Sequence, residues 1–345
     1  MEKTVETVEL LERLAQSCGV AGEERPAAEI ACAELKRYTD DLSVDAMGSV
    51  TAVVKKGSPL VLLDAHLDEI GLVAAYLGEN GFLRVGAVGG VDRRLLAAQE
   101  VVILSDEPVE GVVVSKPPHL LSAEEEKKVP KVEDLWVDTG YTTEELKKRV
   151  CPGDRIVLKA GFHRLLNGRV CSKALDDRAG VAAVLRALEL LKEEPLSCGL
   201  AVSLTCQEEL GCLGAKTASY SLQPDLAVAV DVSFAHTPDA PEHKCGKLGE
   251  GTMIGISPAL DKGISDALTA LAKEREIPYQ LEVMGGLTST NADSITVSRG
   301  GVKCGLLSIP LRYMHTPVEV IDPADVEATA RLLAEFVKKA GGIHA

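Results

Sequence analysis

The sequence lacks several patterns by which common classes of protein are recognised. It has no apolar run of membrane-spanning length, and Met1 to Glu6 contain neither the basic segment nor the apolar core of a signal peptide. The 345 residues carry a formal net charge of −15, whereas a nucleic-acid or anionic-membrane surface requires clustered Lys and Arg. These absences predict a cytoplasmic protein that binds neither nucleic acid nor membrane.

The motifs of several enzyme classes are missing as well. The nine Cys residues are irregularly spaced and form no Cys-x-x-Cys pair, which favours a reducing compartment. There is no glycine-rich phosphate-binding loop and no Gly-x-Ser-x-Gly nucleophile elbow. Cys206 lies close to acidic residues that raise the pKa of a thiol, so we predict that it belongs to the core.

The pattern of apolar residues divides the chain into two kinds of segment. Residues 1–71 and 163–345 alternate amphipathic helices with short apolar strands, whereas residues 72–162 contain short β-prone segments separated by glycines. A chain of 345 residues is also longer than one compact core usually holds. We therefore predict a discontinuous α/β domain that is interrupted by a small β-rich domain.

Ionisable side chains follow the apolar runs at the points where strands are expected to end. Ligands of doubly wound sheets bind outside the carboxyl edge of the strands, so these side chains are predicted to meet there. One such strand end could equally be structural, but four together favour a functional site. The candidates are Asp64, His66 and Asp68 after the first strand, Glu208 and Glu209 after the second, Asp231 after the third, His315 after the fourth, and Asp176 where a loop enters a helix.

Two histidines and several carboxylates, with no cysteine, form a donor set for two divalent ions such as Zn²⁺, Co²⁺ or Mn²⁺. A carboxylate commonly bridges two such ions, which lie about 3.5–4 Å apart. Successive side chains that leave a strand point in different directions. One member of the pair Glu208 and Glu209 could therefore bind metal while the other acts as a general base. A water activated between two ions indicates hydrolysis.

Four motifs resemble those of the co-catalytic dinuclear metallo-aminopeptidases. This family includes glutamyl aminopeptidase, deblocking aminopeptidase and the tetrahedral aminopeptidases, and some members have been labelled endoglucanases. The motifs are DAHLDEIG at residues 64–71, KALDDR at 173–178, QEELG at 207–211 and MHTPVE at 314–319. A further similar segment, KPPHLL at residues 116–121, lies in the β-rich insert.

The resemblance implies an α/β fold with a three-layer aminopeptidase-type catalytic domain and a mainly parallel central sheet. A small barrel-like β-rich domain that mediates oligomerisation would interrupt it. The implied protein is a homo-oligomer, either a dodecamer or a dimer, that removes N-terminal residues from short peptides with two divalent metal ions per subunit. The implied roles are Asp176 as the bridging ligand, His66 and Asp231 as ligands of one ion, Glu209 and His315 as ligands of the other, Glu208 as general base, and Asp68 as the acid that orients His66.

One segment departs from the family pattern. Residues 286–293 carry Leu287 and Asn291 where the family usually has Arg and Asp, in a segment expected near the substrate pocket. This segment therefore has one positive and one negative charge fewer than the family pattern. The sequence for this reason gives no prediction of which N-terminal residue of a peptide the enzyme prefers.

Three other functions share some of these features. A glycoside hydrolase of the endoglucanase type would need two carboxylates and no metal, and the pair His66 and His315 argues against it. An amidohydrolase that acts on acylated amino acids would share the metal chemistry and differ in pocket contacts. A catalytically silent assembly would keep the metal ligands without turnover.

Overall fold

The structure is a computed structural model that describes residues 2–238 and 240–342, with side chains from residue 7 onward. The predicted domain limits at residues 1 and 345 lie outside the described residues. Within the described part of the chain, no helix combines the length and apolar character needed to cross a membrane.

The helices and strands are numbered in chain order. The helices are α1 (Glu2–Gln16), α2 (Arg25–Leu35), α3 (Thr143–Leu146), α4 (Leu175–Leu191), α5 (Leu213–Leu222), α6 (Lys262–Glu274), α7 (Asn291–Thr296) and α8 (Pro323–Ala340). The strands are β1 (Leu42–Val44), β2 (Val50–Lys55), β3 (Leu60–His66), β4 (Gly71–Leu77), β5 (Phe82–Val88), β6 (Glu100–Leu104), β7 (Val109–Val114), β8 (Trp136–Asp138), β9 (Arg155–Leu158), β10 (His163–Arg164), β11 (Val170–Ser172), β12 (Gly199–Thr205), β13 (Leu226–Phe234), β14 (Thr252–Ile256), β15 (Tyr279–Val283), β16 (Lys303–Leu311) and β17 (Glu319–Ile321).

An eight-stranded sheet organises the larger part of the fold, in the order β1-β2-β12-β3-β13-β16-β14-β15. Its four central strands, β12, β3, β13 and β16, are parallel. Antiparallel pairing adds β2 on one side and β14 on the other. Apolar residues of α1, α2, α4, α6 and α8 pack on one face of the sheet, and those of α5 and α7 pack on the other. The predicted three-layer α/β fold with a mainly parallel sheet is confirmed.

The β-rich insert forms a closed barrel in the order β4-β5-β8-β7-β6-β9. All of its strand pairs are antiparallel, as a barrel built from hairpins requires. The barrel has a hydrophobic core of its own, which includes Leu72, Leu83 and Ile103. The predicted barrel-like insert is confirmed, whereas the division of the chain at residues 72 and 162 stays a prediction.

Several elements are not predicted by the periodicity of the sequence, and α5, β14 and α7 are the longest of them. The helix α5 buries Gly214, Ala215, Ala218 and Ser219, which are too small to produce a clear apolar stripe. The strand β13 also runs further than the apolar pattern predicts. Asp231 lies within this strand, not after it, because pairing with β16 continues from Asp231 to Phe234.

Candidate metal centre

The carboxyl edge of the parallel strands carries the candidate site. β3 ends at His66, which pairs with Thr205 at the end of β12, so the segment that follows β12 starts beside His66. β13 brings Asp231 to the same edge, and Asp176 arrives from the first turn of α4. Asp176 and Asp177 have non-helical backbone angles, and Asp177 accepts a hydrogen bond from the backbone N–H of Gly180 (3.0 Å), which caps the regular part of this helix.

Two groups of possible ligand atoms share Asp176, and within each group the atoms lie within 4.8 Å of one another. One group is His66, Asp176 and Asp231, and the other is Asp176, Glu209 and His315. The two oxygens of Asp176 face different imidazoles, since Oδ1 lies 3.2 Å from His66 Nε2 and Oδ2 lies 3.3 Å from His315 Nε2. The fold therefore brings together the five residues that the family resemblance implies as ligands.

A backbone carbonyl faces the other nitrogen of each imidazole. His66 Nδ1 lies 3.1 Å from the carbonyl oxygen of Asp68, and His315 Nδ1 lies 3.0 Å from that of Gly90. A carbonyl oxygen can only accept, so Nδ1 carries the proton in each ring. In the neutral imidazole this leaves the Nε2 lone pair free for a metal ion, which is the usual arrangement of metal-binding histidines.

Buried carboxylates are concentrated at this edge of the sheet. Burial raises the pKa of Asp231 and of Glu209 above the usual range. Burial also opposes the ionisation of Asp176, but the imidazoles of His315 and His66 outweigh it and lower the pKa of this carboxyl group. Bound cations would compensate such buried negative charge, so a divalent metal fits the donor set and its electrostatics.

The carboxylate of Asp68 lies close to the imidazole of His66 and also accepts hydrogen bonds from the backbone. Its Oδ1 lies 3.4 Å from His66 Nδ1. The same carboxylate accepts hydrogen bonds from the backbone N–H groups of Glu208 (2.9 Å) and Glu209 (3.0 Å). Asp68 therefore fixes the loop that carries both glutamates.

Glu208 and Glu209, the two acids that follow β12, are both partly buried, and Glu208 is the one that lies outside the two groups of possible ligands. Its Oε1 accepts a hydrogen bond from the Cys212 thiol at 3.2 Å, and burial raises the pKa of its carboxyl group. A raised pKa makes a carboxylate a better proton acceptor. The arrangement is suited to proton transfer, with one carboxylate oxygen held by the thiol.

The sequence interpretation missed several residues that support the site. Glu319 accepts hydrogen bonds from the backbone N–H groups of Asp176 (3.1 Å) and His315 (3.0 Å), and so ties two predicted ligands together. Its place in the motif at residues 314–319 is the signal that could have identified it. Gly90 supplies the carbonyl that faces His315, and its only sequence signal is the dipeptide of Gly89 and Gly90.

Asp64 and Asn291 form a separate buried network below this edge. Asp64 accepts hydrogen bonds from the Ser203 hydroxyl and from Asn291 Nδ2, the latter at 2.8 Å. Asn291 is 2% exposed and also donates to Thr205 Oγ1 at 2.7 Å. Its side chain therefore packs against β3 and β12, whereas Leu287 in the same segment is 74% exposed.

The chain is similar to known proteins along almost its whole length. The model of the M42 glutamyl aminopeptidase family matches residues 48–332. A lysyl aminopeptidase of Pyrococcus furiosus is 33% identical over 338 residues, which cover 96% of each chain. These matches span both the sheet and the barrel.

Solved structures show the same architecture. The TET aminopeptidase of a marine sediment Thaumarchaeota archaeon superposes with a TM-score of 0.93 at 31% identity, covering 98% of this chain and 97% of the other. The TET1 peptidase of Pyrococcus horikoshii, which can assemble into a tetrahedron or a large octahedral shell, gives a TM-score of 0.85 at 31% identity. That match covers 96% of this chain and 99% of the other.

Proposed function

The chain belongs to the M42 glutamyl aminopeptidase family and is a peptidase of the aminopeptidase class, and from this premise we propose that it uses two divalent metal ions to remove N-terminal residues from short peptides. The observation that carries the proposal is the shared position of Asp176 between two imidazoles. A carboxylate with one nitrogen ligand opposite each oxygen is suited to bridging two ions.

The proposed metal site is assigned residue by residue. His66, Asp176 and Asp231 would hold one ion, and Asp176, Glu209 and His315 would hold the other. The ions would be Zn²⁺ or Co²⁺, with Mn²⁺ as a third candidate, because nitrogen and carboxylate donors accept all three. When bound, they would lower the pKa of a water molecule and polarise the scissile carbonyl.

Glu208 is the proposed general base and acid. Its Oε1 is occupied by the Cys212 thiol, so Oε2 is the oxygen available to accept the proton of the attacking water. The same oxygen would then donate that proton to the amine that leaves when the peptide C–N bond breaks. Asp68 would keep Glu208 in place through the backbone N–H while it orients His66.

Assembly into a homo-oligomer, either a dodecamer or a dimer, belongs to the same proposal. The structural neighbour that forms a tetrahedron or an octahedral shell supports it. Residues 72–162, which contain all of the barrel except Gly71 at the start of β4, would act as the oligomerisation domain, and residues 1–71 and 163–345 as the catalytic domain.

Replacing Glu208 with Gln tests the general base. We expect Glu208→Gln to abolish hydrolysis of aminoacyl-p-nitroanilides while two metal ions per chain remain bound, as measured by elemental analysis. Glu107→Gln is the matched control, because Glu107 is exposed on the barrel and its loss changes the net charge equally. Wild-type turnover by Glu208→Gln would refute the assignment, and no turnover of any substrate by the wild-type chain would favour the silent assembly.

A further inference from the structure

Carboxylates from two other parts of the chain hold three consecutive backbone N–H groups in the loop after β12. Glu24 Oε1 accepts from Gln207 at 3.1 Å. The two oxygens of Asp68 accept from Glu208 at 2.9 Å and from Glu209 at 3.0 Å. The direction in which the proposed general base and its neighbouring ligand leave the strand therefore depends on two acids, of which only Asp68 was predicted.

Gln207 is the residue at which this loop turns. Its φ of +55° lies in the left-handed region, which side chains other than glycine rarely adopt. A conformation of this kind persists only where the surroundings enforce it. Because Glu24 holds the N–H of this residue, it enforces the turn directly before Glu208.

Glu24 is itself rigidly placed. It directly precedes α2, is 4% exposed, and its Oε1 also accepts from the backbone N–H of Gly22 at 2.7 Å. The segment before it is fixed to the residues that follow β3 by backbone hydrogen bonds from the N–H of Ala21 to the carbonyl of Glu69 (3.2 Å) and from the N–H of Glu69 to the carbonyl of Gly19 (2.9 Å). Glu24 thus links the N-terminal segment to the loop of the general base.

A buried cation balances these acids without hydrogen bonding to Glu24. Arg178 is fully buried, and its Nη1 is anchored at the end of α1. Its Nε and Nη2 have no hydrogen-bond partner among the described residues. Burial lowers the pKa of Arg178, and the nearby Glu69, Asp68 and Glu24 oppose this. The guanidinium of Arg178 therefore attracts Glu24 through space and without a hydrogen bond. Glu24 Oε1 accepts hydrogen bonds from backbone N–H groups instead.

We infer that Glu24 is a positioning residue for the reaction: its Oε1 holds Gln207 in the left-handed conformation and thereby aims Glu208 at the substrate. The inference rests on the proposed function, because it concerns the residue assigned there as general base. The inferred role requires a hydrogen-bond acceptor at the position of Oε1. The amide oxygen of Gln can therefore replace the carboxylate oxygen, whereas a shorter side chain cannot reach the N–H of Gln207.

The test compares Glu24→Ala, Glu24→Asp and Glu24→Gln in the full-length chain loaded with metal. We expect Ala and Asp to lower kcat by about 10- to 100-fold with KM and metal content unchanged, because a small displacement of a catalytic group has effects of this size. Gln should keep kcat within about threefold of the wild type, because its amide oxygen can still accept the same hydrogen bonds, although neutral bonds have roughly half the strength. Glu23→Ala is the matched control, since the adjacent Glu23 is exposed.

Glu24→Asp keeps the charge that balances Arg178 and withdraws the acceptor, so it separates positioning from stability if Glu24→Ala fails to fold. Wild-type kcat in Glu24→Asp would overturn the inference. A loss of kcat in Glu24→Gln as large as that in Glu24→Asp would also overturn it, because an acceptor kept at the Oε1 position would then not be sufficient for activity.

Hydrogen exchange at the Gln207 amide gives a readout that does not depend on turnover. Glu24→Asp should accelerate this exchange, and Glu24→Gln should not. Unchanged exchange in Glu24→Asp would refute the contact on which the inference rests. If Glu208→Gln hydrolysed peptides normally, the proposed general base alone would fail, and the exchange rates would still decide whether Glu24 holds the loop.

A double-mutant cycle that combines Glu24→Ala with Gln207→Gly measures the energetic coupling between Glu24 and Gln207. Glycine adopts φ of +55° without steric cost, so Glu24→Ala should lower kcat several-fold less in Gln207→Gly than in the wild type. Gln223→Gly is the matched control, because Gln223 has a φ of +53° at the end of α5, away from Glu24. If the effects of Glu24→Ala and Gln207→Gly on kcat were additive, the proposal that Glu24 holds Gln207 in its left-handed conformation would be contradicted.

Discussion

Several carboxylates of this site act on backbone groups in addition to side chains. Asp68 accepts from two consecutive N–H groups, and Glu319 accepts from the N–H groups of Asp176 and His315. A hydrogen bond from a backbone N–H to a charged carboxylate is stronger than one between neutral groups. Single residues of this kind therefore fix the backbone of the residues that are proposed to bind metal or transfer a proton.

The thiol of Cys212 is predicted to affect Glu208, the proposed general base. It donates to Glu208 Oε1 at 3.2 Å, and burial together with Glu208 raises the pKa of this thiol, so it stays a protonated donor. We expect Cys212→Ala to lower kcat/KM about fivefold, the value of one modest hydrogen bond. Cys212→Ser keeps a donor and should stay within about twofold of the wild type. Cys151→Ala, on the exposed surface of the barrel, is the control, and equal kinetics for Ala and Ser would contradict the prediction.

The loop between β5 and β6 lies directly over two of the proposed metal ligands, although it belongs to the barrel. A Cβ atom on Gly89 would lie 3.0 Å from Glu209 Oε2, and one on Gly90 would lie 2.6 Å from His315 Nδ1. The carbonyl of Gly90 also faces His315 Nδ1. This loop therefore needs glycine because side chains would occupy the space of two proposed ligands.

Replacing Gly90 with Ala is expected to displace the imidazole of His315. Because that imidazole belongs to only one of the two ligand groups, Gly90→Ala should lower the affinity for one ion about 10- to 100-fold and leave the other ion bound. Metal titration followed by elemental analysis measures this difference. Gly300→Ala is the control, since a Cβ there meets no atom within 4 Å. Two ions bound with wild-type affinity in Gly90→Ala would refute the prediction.

The whole molecule combines the hydrophobic cores of the sheet and of the barrel with a site built where the elements of these two parts meet. The sheet supplies His66 and Asp231, the barrel loop supplies the carbonyl of Gly90, and the segment before α2 supplies Glu24. Buried carboxylates repel one another unless cations lie between them. Metal binding is therefore expected to stabilise the entire fold as well as the site.

Removal of metal by a chelator is predicted to abolish peptide hydrolysis and to lower the Tm by several degrees. Ions that bind only the folded chain stabilise it by about 2.7 kcal/mol at one hundred times their Kd. Added Zn²⁺ or Co²⁺ should restore both activity and Tm, whereas a chelator saturated with Zn²⁺ beforehand should change neither. Peptide hydrolysis that persists at the wild-type rate in the metal-free protein would refute the proposed two-metal site.

The strand ends and motifs were readable from the sequence because they are local. An apolar run that stops at His66, or at Glu208 and Glu209, marks both the strand and its polar end within a few residues. The short helix α7 and the strand β14 were missed because long-range packing, not local periodicity, stabilises them. The position of Asp231 inside β13 likewise follows from pairing with β16.

The sequence by itself determined which residue types gather at the carboxyl edge of the parallel strands, since chain order and strand ends specify them. Only the tertiary structure decided which groups face one another. It placed Asp176 between two imidazoles, Gly90 over His315, and Glu24 against Gln207, which is 183 residues away in the chain. Contacts over such separations leave no periodic signal, because they arise from packing of elements that are each specified locally.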